Sequence, residues 1–385
     1  MSASGHDATH HPYVHMIVPG GGLSDDTSRW IATSRRLTFD TFSNDKRLPL
    51  KGHTSCAGAL MRLLAIFVCV ALCFAAMPAQ SAGVRFFDIL SDTKSRPLTG
   101  AVWYPCSAPG QETTVRNRII QGTRDCLLVG DKLPLVVISH GRAGWFGGHH
   151  ATAAALADAG FIVAAIDHPG DNSEDQSRVD HLSVLIERPA NIKRLVDFLL
   201  ESWESAARID RDRIGLFGFS MGGFTGLVVV GGNPDFRKGL PGCEGSNFRA
   251  CEELRSGEVP VDLPAHDVRI KAAIIADPGP SFFFSSAGLK TIKVPLQLWS
   301  SDPKLAPNYV SGCCSLGIRS RLPSSPDFHL VSNANHFSFL PPCSPAEVKD
   351  FPRICVDTPG FDRAAFHKDF NAAIIAFFRR HLLGV

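Results

Sequence analysis

The stretch Gly218-Phe219-Ser220-Met221-Gly222 decides the fold of this chain. It follows a short apolar run at 213–217 and precedes small and apolar residues at 223–230. This context predicts a buried strand, a sharp turn and a buried helix, with the serine hydroxyl exposed above a sheet. Ser220 is therefore a candidate nucleophile. Because G-x-S-x-G alone is a weak pattern, the rest of the chain has to supply a base, an acid and an oxyanion hole.

The overall composition is that of an ordinary globular protein. The 385 residues are 44% hydrophobic and 20% charged, enough for a large single core or two domains. The net charge is only +2, and no basic run or aromatic-basic interleaving occurs in the sequence. These features argue against a nucleic-acid partner.

The first 82 residues differ from the rest. Residues 1–60 are polar and lack a clean periodicity, and we interpret them as a disordered extension or an upstream translation artefact. One positive charge, about 15 apolar residues and a small-residue end describe a signal peptide at 61–82 better than a spanning helix, which needs roughly 20. The alternative is a cytosolic tail before a short membrane anchor. We expect a secreted or periplasmic protein whose folded domain covers 83–385.

Cysteines support export. An even number of them follows the apolar segment, which in an exported protein indicates disulfides. Sequence proximity favours the pairs Cys106–Cys126, Cys243–Cys251 and Cys343–Cys355, while Cys313 and Cys314 could pair with each other or stay free. No C-x-x-C spacing occurs, so a zinc site is not indicated.

Strands and helices alternate along the domain. After two short strands at 84–90 and 100–104 and a polar loop at 106–131, continuous apolar runs predict buried strands at 135–139, 161–166, 214–217, 272–276, 296–299 and 328–331. Helices are predicted at 149–159, 189–204 and 361–383. This alternation predicts an α/β fold with a mostly parallel sheet and helices on both faces. Residues 233–268 lack periodicity and predict a small lid-like insertion.

Candidate partners for Ser220 follow it in the chain. A serine hydroxyl needs a base to take its proton, and the base needs an orienting acid. His336 follows the last predicted strand and is the candidate base. The acid stays open between Asp277 and Asp302, which follow adjacent strands, because an Asp before Pro also forms turns.

An oxyanion hole needs two main-chain N–H groups aimed where negative charge develops. One comes from Met221, directly after the candidate nucleophile, and the other from Arg142 in the glycine-rich loop after the first buried strand. The Arg142 side chain could also meet an anionic substrate. The adjacent pair His149-His150 lacks a carboxylate partner, so we predict no metal site.

Several of these stretches resemble the platelet-activating-factor acetylhydrolase family. They are Ser139-His140-Gly141, residues 159–168 and residues 211–223. Bacterial relatives described as predicted dienelactone hydrolases are more similar still, and residues 342–355 and 361–366 also match that group. The resemblance covers roughly 84–385. It implies the α/β-hydrolase fold, hydrolysis of carboxylic esters with short or truncated acyl groups, and no metal or organic cofactor.

The resemblance also bears on the acid. In the acetylhydrolases the acid follows the strand after the elbow helix, which favours Asp277, whereas cutinase-like polyester hydrolases keep it one strand later, at the position of Asp302. The chain departs from its relatives in three ways. Many relatives have His where Phe219 stands, true dienelactone hydrolases have Cys where Ser220 stands, and the insertion at 233–268 is not part of the acetylhydrolase pattern.

The sequence therefore predicts a secreted serine esterase. The expected partner is a small-molecule ester or a lipid, with transient contact to a membrane or lipid surface left open and no nucleic acid. One alternative is a polyester or lipid hydrolase with the same machinery. Another is a non-catalytic secreted binding protein of the same fold. The oligomeric state is not predicted.

Overall fold

The computed structural model describes residues 81–93, 95–237, 243, 245, 249–258, 265–305 and 315–385. The predicted extension at 1–60 lies outside these residues, as do Cys313, Cys314 and much of the predicted insertion. Of the predicted signal peptide at 61–82, only Ser81 and Ala82 are described, and both belong to the first strand.

A nine-stranded sheet organises the domain. In chain order all the strands of the described residues are β1 (Ser81–Ile89), β2 (Leu98–Cys106), β3 (Glu112–Val115), β4 (Arg118–Gln121), β5 (Thr123–Arg124), β6 (Leu133–Ser139), β7 (Ile162–Ile166), β8 (Ile209–Phe219), β9 (Ile270–Ala276), β10 (Leu296–Ser300) and β11 (Asp327–Leu330). Strands β3 and β4 make a separate two-stranded sheet. The order in the nine-stranded sheet is β11-β10-β9-β8-β6-β7-β2-β1-β5. Strands β7, β6, β8, β9, β10 and β11 are mutually parallel, and β2 runs antiparallel to both β7 and β1.

Helices cover both faces of this sheet. They are α1 (His150–Asp158), α2 (Leu182–Glu201), α3 (Met221–Val229), α4 (Arg249–Ser256), α5 (Ser286–Leu289), α6 (Ser315–Arg321), α7 (Pro345–Asp350), α8 (Pro352–Cys355) and α9 (Arg363–Phe378). A π-helical turn, Arg379–Leu383, extends α9. No helix among the described residues is long and apolar enough to cross a membrane.

The core lies in two layers, one on each side of the sheet. In β6, Leu135 and Val137 pack with α2 and α3 on one face, while Val136 and Ile138 pack with α1 and α9 on the other. Successive side chains of a strand point to opposite faces, so a strand covered on both sides has to be apolar throughout. This is the physical reason that continuous apolar runs located the parallel strands.

Two local predictions were wrong. Helix α2 begins at Leu182, and Pro189, predicted as its start, lies buried inside it. The predicted polar loop at 106–131 contains the hairpin β3–β4 instead. Its turn residues Arg116 and Asn117 both have positive φ, 52° and 59°, the conformation of a two-residue hairpin turn, and neither residue is a glycine that would have marked that turn.

The structure contains the three predicted disulfides, Cys106–Cys126, Cys243–Cys251 and Cys343–Cys355. The second joins α4 of the predicted insertion to Cys243. Helix α4 reaches the main domain through the Glu253 carboxylate, which accepts a hydrogen bond of 2.7 Å from the main-chain N–H of Leu182 at the start of α2.

Candidate active site

Ser220 lies at the turn between β8 and α3, at the carboxyl edge of the parallel strands. Its φ of 55° and ψ of −119° are strained for a residue with a side chain. The turn is tight on both sides, since a Cβ on Gly218 would lie 2.2 Å from Gly222 O and a Cβ on Gly222 would lie 1.9 Å from Ser139 O. Neighbouring main chain holds the strained residue, because Ser220 N donates to Ala276 O at 2.9 Å and Gly279 N donates to Ser220 O at 3.0 Å.

The structure brings Ser220, His336 and Asp277 together. His336 Nε2 lies 2.9 Å from Ser220 Oγ, and His336 Nδ1 lies 2.6 Å from Asp277 Oδ2. The His336 side chain is 22% exposed and that of Asp277 only 4%, so the imidazole reaches solvent while the carboxylate does not. The Phe219 ring packs against the imidazole with centroids 4.8 Å apart. This arrangement can move a proton from the hydroxyl to the imidazole.

Asp277 is held by the strand next to its own. Its φ of 45° turns the carboxylate out of β9, and its N–H donates to Trp299 O at 3.0 Å. Ser301 donates its hydroxyl to Asp277 Oδ2 at 2.7 Å and its main-chain N–H to Oδ1 at 3.2 Å. Sequence reasoning missed Ser301, although its place beside a candidate acid at a strand end was a usable signal.

Asp302 does not contact His336. Its carboxylate accepts main-chain hydrogen bonds from Asn333 at 2.9 Å and from Lys304 at 3.0 Å. These bonds hold the pKa of the Asp302 carboxyl below its ordinary value. Of the two candidate acids, the structure therefore places Asp277 against the imidazole and Asp302 under the loop that carries it.

The glycine-rich loop after β6 passes directly against the Ser220 turn. A Cβ on Gly141 would lie 3.2 Å from the Phe219 ring and 3.3 Å from Ser220 Cβ. Within the described part of the chain, no acceptor bonds the main-chain N–H of Arg142 or that of Met221. Both groups are thus unpaired main-chain donors close to the Ser220 turn in sequence or in space. The Arg142 guanidinium itself forms a bidentate pair with Asp180, so it already has a carboxylate partner.

Buried histidines lie beneath this loop. His140 Nδ1 donates to Gly141 O at 2.6 Å, and His140 Nε2 accepts from the main-chain N–H of His168 at 3.2 Å. Burial, together with the nearby Arg188 charge, lowers the pKa of His140 and His168 well below the ordinary value, so both are neutral. They fix the loop and carry no charge into the site.

His149 and His150 lie in different surroundings. The described residues contain no cluster of three or more His, Cys, Asp or Glu that could hold a metal ion. His149 lies between the edges of Phe217 and Phe219, and burial lowers its pKa to about 3. His150 Nδ1 accepts a hydrogen bond of 3.1 Å from the main-chain N–H of Gln121 in β4.

Comparison with known proteins agrees with this architecture. A family model described as serine aminopeptidase, S33, matches residues 130–241, which include the Arg142 loop and the Ser220 turn. A ferulic acid esterase from Streptomyces cinnamoneus superposes with a TM-score of 0.55 at 18% identity, over 81% of this chain and 92% of that one. The strand order and the structural likeness together show the α/β-hydrolase fold. At 18% identity, the likeness of this chain to the esterase establishes the fold alone.

A curated relative is similar over a shorter stretch. The chain is 29% identical over 157 residues to a platelet-activating factor acetylhydrolase from Canis lupus familiaris. The match covers 30% of this chain and 35% of the relative, so the chain spans about a third of that protein's length. A separate family model, described as a putative transposase, matches residues 3–48, outside the described residues.

Proposed function

We propose that this α/β-hydrolase is a serine esterase that cleaves carboxylic esters through an acyl-enzyme. The observation that carries the proposal is the hydrogen-bonded series Ser220 Oγ, His336 Nε2, His336 Nδ1 and Asp277 Oδ2, with separations of 2.9 Å and 2.6 Å. A hydroxyl, an imidazole and a buried carboxylate in this order form a nucleophile, a base and an orienting acid.

In the proposed reaction Ser220 Oγ attacks the ester carbonyl carbon while His336 Nε2 takes the hydroxyl proton. Asp277 keeps the other ring nitrogen protonated and stabilises the imidazolium that forms. The N–H groups of Arg142 and Met221 donate to the oxyanion. His336 then returns the proton to the leaving alcohol, and a water molecule, activated in the same way, releases the carboxylic acid and restores Ser220.

For the substrate we propose a small ester with a short or truncated acyl group. The support is the resemblance of residues 139–141, 159–168 and 211–223 to acetylhydrolases and the match to a curated protein of that name. The run Phe282-Phe283-Phe284 lends little support to a long acyl site, since Phe283 and Phe284 are buried against Phe224.

A fluorophosphonate probe and p-nitrophenyl esters test the proposal. Wild-type protein should be labelled and should hydrolyse p-nitrophenyl acetate, and Ser220→Ala should lose both, with a fall in kcat of about 10⁶-fold, as expected when a triad acts as a unit. Ser320→Ala is the matched control, because its hydroxyl bonds only Gly317 O in α6. Equal labelling of Ser220→Ala and wild type would contradict the proposal. Activity that rises with acyl length would favour a lipid hydrolase instead.

We also propose that the domain is exported. Disulfides persist in oxidising compartments, and the described residues contain three of them. Fractionation of the producing cells followed by N-terminal sequencing tests this. An N-terminus within or just after 61–82 is expected, whereas a cytosolic protein with a retained Ser2 would contradict both export and the proposed upstream artefact.

A further inference from the structure

A buried ion pair lies directly behind the Arg142 loop. Arg188 of α2 places Nη1 2.5 Å from Asp171 Oδ2, and the two side chains are 1% and 0% exposed. Replacing a buried pair of this kind by apolar residues is often neutral or stabilising, so its presence is weak evidence of a role in stability. Its remaining hydrogen bonds are therefore informative.

The ion pair forms hydrogen bonds with the loop on both sides of Arg142. Arg188 Nη2 donates to the carbonyl oxygen of His140. Asp171 Oδ1 accepts a hydrogen bond of 2.7 Å from the main-chain N–H of Ala143. Arg142 lies between these two anchor points, so the ion pair restrains the main chain on either side of its N–H.

The same guanidinium reaches the other candidate oxyanion donor. Arg188 Nε donates to Thr225 Oγ1 at 3.2 Å, and the Thr225 hydroxyl donates to the carbonyl oxygen of Met221 at 3.0 Å. Thr225 is fully buried in α3. The planar, rigid guanidinium of Arg188 thus connects two elements. One is the loop that carries the Arg142 N–H, and the other, through Thr225, is the first turn of the helix that carries the Met221 N–H.

We propose that Arg188 and Asp171 are positioning residues that set the separation and direction of the two oxyanion donors. This rests on the esterase function proposed above. Donors stabilise an oxyanion when they are fixed in advance at about 2.7–3.1 Å from it, and small displacements lose much of that benefit. Both side chains are buried, and they act through the main chain of the Arg142 loop and, for Arg188, through the Thr225 hydroxyl.

Arg188→Lys is the sharpest test, since it keeps a cation beside Asp171 and removes the fork. On p-nitrophenyl acetate we expect kcat to fall about 10- to 100-fold with KM within about twofold, because oxyanion contacts act in the transition state. A trifluoromethyl ketone, whose adduct with Ser220 carries an oxyanion, should bind more weakly by a similar factor. A role in stability alone would not weaken that adduct in the folded variant.

Arg269→Lys is the matched control. Arg269 pairs with Asp267 at 2.6 Å, next to the amino end of β9 and away from the Arg142 loop, so kcat and inhibitor affinity should stay at wild-type values. A folded Arg188→Lys protein with unchanged kcat and unchanged inhibitor affinity would overturn the inference.

If Arg188→Lys does not fold, Thr225→Val carries the test. It removes the hydroxyl that accepts from Arg188 Nε and donates to Met221 O, and it preserves the shape of the side chain. We expect kcat and the affinity for the ketone to fall by similar factors, each smaller than the fall expected for Arg188→Lys. No change in either quantity would refute the inference. Failure of the esterase proposal itself is separate, because wild-type protein would then show neither turnover nor fluorophosphonate labelling.

Discussion

The carboxylate of Asp302 accepts a hydrogen bond of 2.9 Å from the main-chain N–H of Asn333, at the entrance to the loop that carries His336. The main-chain N–H of Asp302 in turn donates to Ala334 O at 2.9 Å. These two hydrogen bonds join the His336 loop to the residues just after β10. Asp302 therefore stabilises the loop, whereas Asp277 contacts the His336 imidazole directly.

This relationship predicts different outcomes for the two aspartates. Asp277→Asn should lower kcat by about 10⁴-fold, the loss expected when an amide holds the imidazole in the wrong tautomer. Asp302→Ala removes a charged acceptor of two main-chain hydrogen bonds and should lower the free energy of unfolding by about 1.5–3 kcal/mol, with a fall in kcat of less than about tenfold. Kinetics on p-nitrophenyl acetate and urea unfolding measure both. A larger kcat loss for Asp302→Ala would show that Asp302 is the acid.

Ser301 should support Asp277 through its hydroxyl, which donates to the carboxylate at 2.7 Å. A hydrogen bond to a charged group contributes about 1.5–3 kcal/mol, so Ser301→Ala should lower kcat by about tenfold or more. Ser301→Thr keeps the hydroxyl and should recover most of the activity. If both variants are equally impaired, the packing of the side chain matters and its hydrogen bond does not.

The Cys343–Cys355 disulfide should influence the histidine loop. The residues just after it contact the chain on both sides of His336, since Asn335 Nδ2 donates to Val356 O at 3.4 Å and Ser338 Oγ donates to Asp357 Oδ1 at 2.9 Å. Replacing both cysteines by serine should lower the free energy of unfolding by roughly 3 kcal/mol for a loop of this size and also lower kcat in the folded fraction.

The matched control is the same double replacement at Cys106 and Cys126. That disulfide closes the segment containing the β3–β4 hairpin, so its removal should reduce stability and leave kcat close to wild type. Thermal melts and single-turnover kinetics separate the two effects. Equal kcat losses from the two double variants would argue against a specific link between Cys343–Cys355 and His336.

Buried histidines should make the protein less stable in acid. Burial lowers the pKa of His149 to about 3 and that of His367 to about 4. An unfolded histidine takes up a proton near pH 6.5, so between that pH and the folded value the unfolded chain binds more protons. The free energy of unfolding therefore falls as pH drops from about 6.5 towards 4, by up to about 1.4 kcal/mol per pH unit for each such histidine.

His149→Phe tests this slope, because an apolar ring fits the aromatic surroundings of Phe217 and Phe219 and cannot titrate. Unfolding in urea at pH 7 and pH 5 should show a smaller difference for His149→Phe than for wild type. Phe161→Leu, a core change without a titrating group, should lower stability equally at both pH values. An unchanged pH difference in His149→Phe would mean that other groups dominate acid unfolding.

The sequence by itself determined the parallel strands, the serine turn and the disulfide pairs Cys106–Cys126, Cys243–Cys251 and Cys343–Cys355. Each depends on residues that are close in sequence. A strand covered on both faces needs an apolar run, and Gly218 and Gly222 are needed because neighbouring main chain leaves no room for a Cβ. Cysteines close in sequence pair across short loops. Because these requirements involve residues close in sequence, they could be predicted without knowing the tertiary structure.

Only the tertiary structure decided which aspartate meets His336, and what lies behind the Arg142 loop. Asp277 and Asp302 both follow strands and both carry turn chemistry, so their difference arises from how β9 and β10 lie relative to the histidine loop. Arg188 stands next to a proline in an amphipathic helix, and nothing local marks it as buried. Its partners come from the loop after β6, from the loop after β7 and from α3, and such distant contacts are fixed only when the helices pack onto the sheet.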